Sequence, residues 1–156
     1  MRAVCQRVTK ATVRVDGRVV GSIRAGWAIL LGIGPDDGQA EAAALVDKVA
    51  GLRVFEDQDG KMNLAAVDVG AEFLVVSQFT LYGDTSGGRR PSWSAAAPRD
   101  RARPLVEAVV TGLRDLGLTV ATGAFGADMQ VELVNDGPVT VLVEVPGEKS
   151  VDLERR

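Results

Sequence analysis

The chain has 156 residues, 46% of them apolar and 25% charged, with a formal net charge of −3 at pH 7; this is about one domain's worth, with enough apolar content for a core. No apolar run reaches the roughly 18 residues of a membrane span, and the opening "MRAVCQRVTKATVRV" alternates too regularly for a signal peptide, so a cytoplasmic protein is expected. Histidine is absent, which excludes Ser-His-Asp and Cys-His machinery and imidazole zinc sites, and the acidic balance argues against a protein that coats nucleic acid nonspecifically.

Alternating apolar residues over 2–8, 11–17, 18–23 and 27–33 predict a meander of four short antiparallel strands. Cys5, the sole cysteine, falls in the first and reads as a small buried hydrophobe rather than a reactive thiol. "GIGPDDG" (32–38) is no dinucleotide loop, because Asp37 stands where its third Gly belongs. Asp37 is instead the expected cap of a helix whose apolar face is Leu45, Val46, Val49 and Leu52. "EDQDG" (56–60) lacks the remaining ligands of a calcium loop and reads as a turn; no metal or cofactor is expected.

"EFLVVSQFTLYG" (72–83) reads as a central strand, with Gln78 and Thr80 on one face and Ser77 and Phe79 on the other. Polar Gln and Thr on such a strand need partners if buried, which a structural network or a functional site can supply. The long aperiodic stretch 84–98 carries "SGGRRP", whose Arg89 and Arg90 suit either phosphate contact or a solvated loop. A second helix follows, with Leu105, Val106, Val109, Val110 and Leu113 on one face, Pro104 near its first turn and Gly117 as its stop. Three strands close the chain ("LTVATG", "MQVELVN", "PVTVLVEV"), the last two separated by a turn of Asn135, Asp136, Gly137 and Pro138. Pro138 makes that turn rigid and awkward to pair. Two main helices and about eight grouped strands predict an α+β domain with antiparallel or mixed sheet over residues 1–145, followed by a charged, frayed tail at 146–156.

"SQFTLYGD" (77–84) and "NDGPVT" (135–140) together resemble the two signature motifs of the D-aminoacyl-tRNA deacylase family. The likeness extends in order through "MRAVCQRV", "LRVFED", "GKMN", "GRRPSW" and "TGAFGADMQVELVNDGPVT", nearly the whole chain. Departures are mild: Trp93 stands where Phe is usual, Cys5 replaces an aliphatic residue, and the tail is long. The resemblance implies a barrel-like homodimer with active sites at the subunit interface, acting on D-aminoacyl-tRNA and glycyl-tRNA and rejecting L-aminoacyl esters. It further implies a cis Gly137-Pro138 peptide that enters the partner's site as a chirality gate. Thr80 and Gln78 would position and polarise, amides near Phe79 and Thr80 would meet the oxyanion, and the substrate's 2′-hydroxyl would assist. Ser77 and Phe79 would shape an adenosine pocket, Met129 its mouth, and Arg7 with Asn135 would support the Gly-Pro loop. Arg89 and Arg90 would meet acceptor-stem phosphates. The alternative is a non-catalytic RNA-binding module associated with translation, which needs neither Thr80 nor the Gly-Pro turn.

Overall fold

The structure, a computed structural model, describes residues 1–147. Eight strands and three α-helices follow in the order β1 (Arg2–Val15), β2 (Arg18–Ile23), β3 (Gly26–Gly32), α1 (Gln39–Gly51), β4 (Phe55–Glu56), β5 (Met62–Leu64), α2 (Ala66–Val69), β6 (Glu72–Ser77), α3 (Arg99–Asp115), β7 (Val120–Thr122) and β8 (Gln130–Glu144). The α+β expectation holds, with two long helices and one short one. The expected tail lies, from residue 148 on, outside the described residues.

The four-strand opening meander becomes three strands, because residues 2–15 form one continuous strand. Its length lets β3 and β2 pair in succession along one edge, Arg2–Val8 with β3 and Ala11–Val15 with β2. β8 covers the other edge. The expected break at residues 135–138 is likewise no hairpin: residues 130–144 run as one strand antiparallel to β1, and the Asn135–Pro138 segment is absorbed as register shifts between Gln6 and Lys10. One extra run of residues on one strand of a pair kinks it without ending the pairing.

From β3 the sheet continues through parallel partners, β3 to β6 and β6 to β7, giving a six-stranded mixed sheet. It curls until β7 meets β2 and leaves a nearly closed barrel. The closure depends on Gly21, where a Cβ would fall 2.3 Å from the carbonyl oxygen of Thr122. Alternation along the strands then divides the core in two. Trp27, Ile29, Leu31, Phe73 and Val75 face the helices and meet Leu45, Val49, Val109 and Leu113, all buried. Ala28, Leu74 and Val76 face inward and fill the barrel with Val8, Ala11, Val13 and Ile23. β6 is thus covered on both faces, which is why its sequence is an unbroken apolar run.

Helix ends depart from expectation. Gly38, not Asp37, is the N-cap of α1, and Glu41 Oε2 accepts its N–H at 2.7 Å. Asp37 is drawn inward, accepting from Gly34 N (2.6 Å) and from the Met1 ammonium (2.7 Å). α3 begins at Arg99, five residues ahead of Pro104, with the Pro98 carbonyl accepting from Arg101 and Ala102. Pro104 therefore sits in the second turn. The stop at Gly117 (φ 81°) and the predicted apolar face are present, with Val106 half-buried. "EDQDG" is a turn in which Asp57 Oδ1 accepts from the Asp59 and Lys61 N–H groups. No helix among the described residues is long and apolar enough to cross a membrane.

Candidate active site

The extended geometry expected for "SQFTLYG" ends at Ser77. The last ladder bond runs from Gln78 N to the Leu31 carbonyl at 2.7 Å; β3 then stops at Gly32, and nothing remains to pair with. Phe79–Tyr82 instead satisfy their backbone locally as a 3-10 turn, with Leu81 N to Gln78 O (3.3 Å) and Gly83 N to Thr80 O (3.0 Å). Gly32 makes room for it: a Cβ there would lie 3.0 Å from Gln78 O and 3.1 Å from Leu81 Cβ.

The turn still brings Gln78 and Thr80 together, because Gln78 Nε2 donates to Thr80 Oγ1 at 2.5 Å. An oxygen that accepts from an amide keeps its own proton for donation outward. Among the described residues no carboxylate or amine meets that hydroxyl, so nothing is placed to deprotonate it. The Phe79 and Thr80 N–H groups precede the first inward bond of the turn and find no backbone acceptor among the described residues.

Ser77, Gln78 and Phe79 border a cleft of about 780 Å³, floored by Leu31, Ile33 and Val76 and walled by α3 and the segment 125–129. Met129 closes one side, its sulfur accepting from Ala124 N at 3.3 Å. Phe79 is exposed and meets Trp93 edge-on at 5.7 Å between centroids. Arg99 brings a cation into the cleft from the first turn of α3, beside Phe125. Arg99 and Phe125 had no assigned role in the sequence. The crowding of arginines at 99–103 and the "FGADM" run were the available signals, but neither shows which side chain turns inward.

Charge around the turn is settled without imidazole. Burial, then the neighbouring Asp37 carboxylate, pushes the Tyr82 hydroxyl well above its ordinary range, so it stays protonated. The Ser86 backbone N–H holds the Asp84 carboxyl below its ordinary value. Among the described residues no three His, Cys, Asp or Glu side chains gather as a metal site.

Arg7, Asn135, Gly137 and Pro138 form a separate cluster. The Gly137-Pro138 peptide is cis and Gly137 has φ 133°. A Cβ on Gly137 would lie 2.7 Å from Val139 Cγ2 and 3.3 Å from Arg7 Nη2. Asn135 brackets the loop: its Oδ1 accepts from Val139 N at 2.7 Å while its Nδ2 donates to Thr140 Oγ1 at 3.0 Å. Arg7 is buried beneath, donating to the Asp136 carbonyl (3.1 Å) and the Val54 carbonyl (2.7 Å). None of these four residues borders the cleft. Arg7 pairs with Trp27 and Arg2 with Gly32, so the loop and the 3-10 turn lie five residues apart along β3, roughly 17 Å at strand rise. Arg89 and Arg90 belong to neither cluster; both are exposed on the 84–98 loop, which is pinned by the Asp84–Ser92 bridge.

Comparison with known proteins accords with this geometry. The family model for D-Tyr-tRNA(Tyr) deacylase matches residues 4–144. The D-aminoacyl-tRNA deacylase of Heliobacterium modesticaldum is 58% identical over 150 residues, 96% of this chain and all of that protein. The protein of the same name from Anaeromyxobacter dehalogenans is 59% identical over 92% of this chain and 97% of its own. Among solved structures, the c-Myc DNA Unwinding Element Binding Protein superposes with a TM-score of 0.88 at 41% identity, covering 94% of this chain and 100% of that one. A probable eukaryotic D-amino acid tRNA deacylase shares the fold at a TM-score of 0.82 and 14% identity, covering 92% and 98%. The fold is a nearly closed α+β barrel, and the relatives at 58–59% identity over nearly the whole chain make it a hydrolase. The chain belongs to the D-Tyr-tRNA(Tyr) deacylase family.

Proposed function

We propose that this protein hydrolyses the ester joining a D-amino acid to the 3′-terminal ribose of tRNA in the cytoplasm, that it also accepts glycine, and that it rejects L-aminoacyl esters. The observation that carries the reading is the hydrogen bond from Gln78, which borders the cleft, to Thr80, which lies just behind it in the turn and is left as a hydroxyl donor with no base among the described residues to ionise it. Such a group positions and polarises; it does not attack. The cleft takes the terminal adenosine against Ser77, Phe79 and Met129. The free Phe79 and Thr80 amides receive the developing oxyanion, and the ribose 2′-hydroxyl assists attack by water.

The protein works as a homodimer. The Gly137-Pro138 loop is roughly 17 Å along the sheet from the turn of its own chain, a separation that supports a second copy as the source of the loop that meets the ester. β8 offers a surface for that copy, an outer strand with Leu142 74% exposed and Val134 45% exposed. Loop carbonyls hold the substrate's α-amino group and leave room only for hydrogen on the L side, so an L side chain collides while a D side chain points outward. Glycine has nothing to exclude. Arg89 and Arg90 meet phosphates of the acceptor stem.

Incubating D-tyrosyl-tRNA with the purified protein tests this reading. Release of free D-tyrosine supports it. An intact ester on tRNA that still binds would favour the non-catalytic RNA-binding module, which the full-length likeness to deacylases disfavours.

A further inference from the structure

Beside the cleft lies a second one of about 580 Å³, on the other side of Phe125. The two share Ser77, Val106 and Phe125 as lining residues, so they are adjacent, with Phe125 at the boundary between them. The outer wall of the second is the face of α3 carrying Arg103, Glu107, Thr111 and Arg114, three to four residues apart and therefore stacked along one side of the helix. Arg99 lines the first cleft and Arg103 the second, and each guanidinium stands 5.9 Å from the Phe125 centroid. The 125–129 segment is seated directly on Arg99: a Cβ at Gly126 would lie 1.8 Å from its Nη2.

We propose that the second cleft binds the single-stranded nucleotides immediately before the terminal adenosine, with Phe125 stacking on a base and Arg103 meeting the intervening phosphate. This rests on the reading of the first cleft as the terminal-adenosine site. Three features carry it. The second cleft adjoins the first across Ser77, Val106 and Phe125, so a chain anchored in the first has it within reach. It offers an aromatic face flanked by two cations, the combination that holds unstacked bases and their backbone; duplex bases are already stacked on each other. Finally, the ion pair that Arg103 makes, with Glu107 at 3.3 Å, joins side chains that are 64% and 67% exposed. An exposed pair of that kind contributes little and gives way to a phosphate. Arg114, by contrast, is committed to the Val120 carbonyl at 2.9 Å and shapes the far end.

The test is equilibrium binding of a four-nucleotide RNA ending in CCA, compared with adenosine, across a salt series. The parent protein binds the RNA more tightly than adenosine. Arg103→Ala lowers that preference roughly tenfold and reduces the salt slope by about 0.7, one single-strand phosphate; Arg103→Lys restores most of it. Glu107→Gln, which removes the competing carboxylate from an exposed site, raises the preference. Equal affinity for RNA and adenosine, or a preference that neither Arg103→Ala nor Glu107→Gln moves, overturns the proposal. Because binding is read apart from hydrolysis, a protein that shows the preference but cleaves nothing would sink only the deacylase reading. One that cleaves D-aminoacyl-tRNA without the preference would sink only this one.

Discussion

Arg7 and Asp136 are 129 positions apart in the chain and are joined by a 3.1 Å hydrogen bond from the arginine Nε to the aspartate carbonyl, beneath the Gly137-Pro138 loop. The same guanidinium donates to Val54 O and lies 3.8 Å from Glu56, so one buried side chain ties the first strand, the segment entering β4 and the loop together. Removing it leaves two carbonyls without their donor. Arg7→Met should destabilise the protein by about 3 kcal/mol, a fall in Tm of about 6–12 °C for a domain of this size. Arg7→Lys, without the planar fork, should recover less than half. Thermal unfolding of the two variants checks this.

Gly137 sits at φ 133° with Val139 within reach of any Cβ. Gly137→Ala should cost about 1–3 kcal/mol in backbone strain and lower kcat/KM on D-aminoacyl-tRNA at least about tenfold, a misplacement effect. Asn135→Ala removes the side chain that brackets the loop and should act in the same direction by a smaller factor. Steady-state deacylation by both variants, each first shown to be folded by circular dichroism, is the check.

The Thr80 oxygen accepts from Gln78, so its own proton points outward, and no carboxylate or amine among the described residues meets it. Thr80→Val should lower kcat by about 10²-fold, the usual worth of one positioned donor, while Thr80→Ser retains most activity and charged-tRNA affinity changes little in both. Mass spectrometry of the parent enzyme quenched during turnover should find no acyl group on Thr80. An acyl-Thr80 adduct would make the hydroxyl a nucleophile.

Stability should be flat from about pH 5.5 to 7, since no histidine titrates there. On the acid side, the Arg24 backbone N–H and guanidinium hold the Glu72 carboxyl below its ordinary value. A depressed folded pKa contributes stability above the unfolded carboxylate range and loses it as pH falls through the folded value. Glu72→Gln should therefore flatten the acid limb. On the alkaline side, burial pushes the Cys5 thiol up to about 12. Its contribution is intact below the unfolded thiol pKa of about 8.5 and declines above it. At pH 8 a thiol reagent should leave native Cys5 unmodified and label it fully in denaturant.

Arg89 and Arg90 are exposed on a loop, with no ion pair among the described residues. Replacing both with Gln should weaken tRNA binding and reduce the slope of log affinity against log salt by about 1.8, two duplex phosphates. An unchanged slope would remove them from the interface.

Most of the architecture was legible because alternation and helical spacing are local properties. Phe73–Val76, buried on both faces, announces a central strand, and Leu105, Val109 and Leu113 announce a helix against it. The misreadings came where a partner strand decides the outcome. Residues 2–15 look like two strands until β8 is seen to pair with their whole length. "NDGPV" has turn chemistry, yet β1 keeps it within a strand. Gln78 and Thr80 continue an alternating pattern, but β3 ends at Gly32 and the chain must turn. The resemblance named the candidate site residues; what it did not carry was their arrangement in two clusters separated along the sheet, or that Arg99 lines the cleft.

The central claim is a chirality-selective deacylase with a positioning rather than nucleophilic threonine. Its most direct measurement is hydrolysis of matched D-tyrosyl-tRNA and L-tyrosyl-tRNA by the purified protein with chelator present. The account predicts rapid loss of the D ester alone. Equal cleavage of both would contradict the Gly137-Pro138 gate, and no cleavage of either would contradict the activity itself.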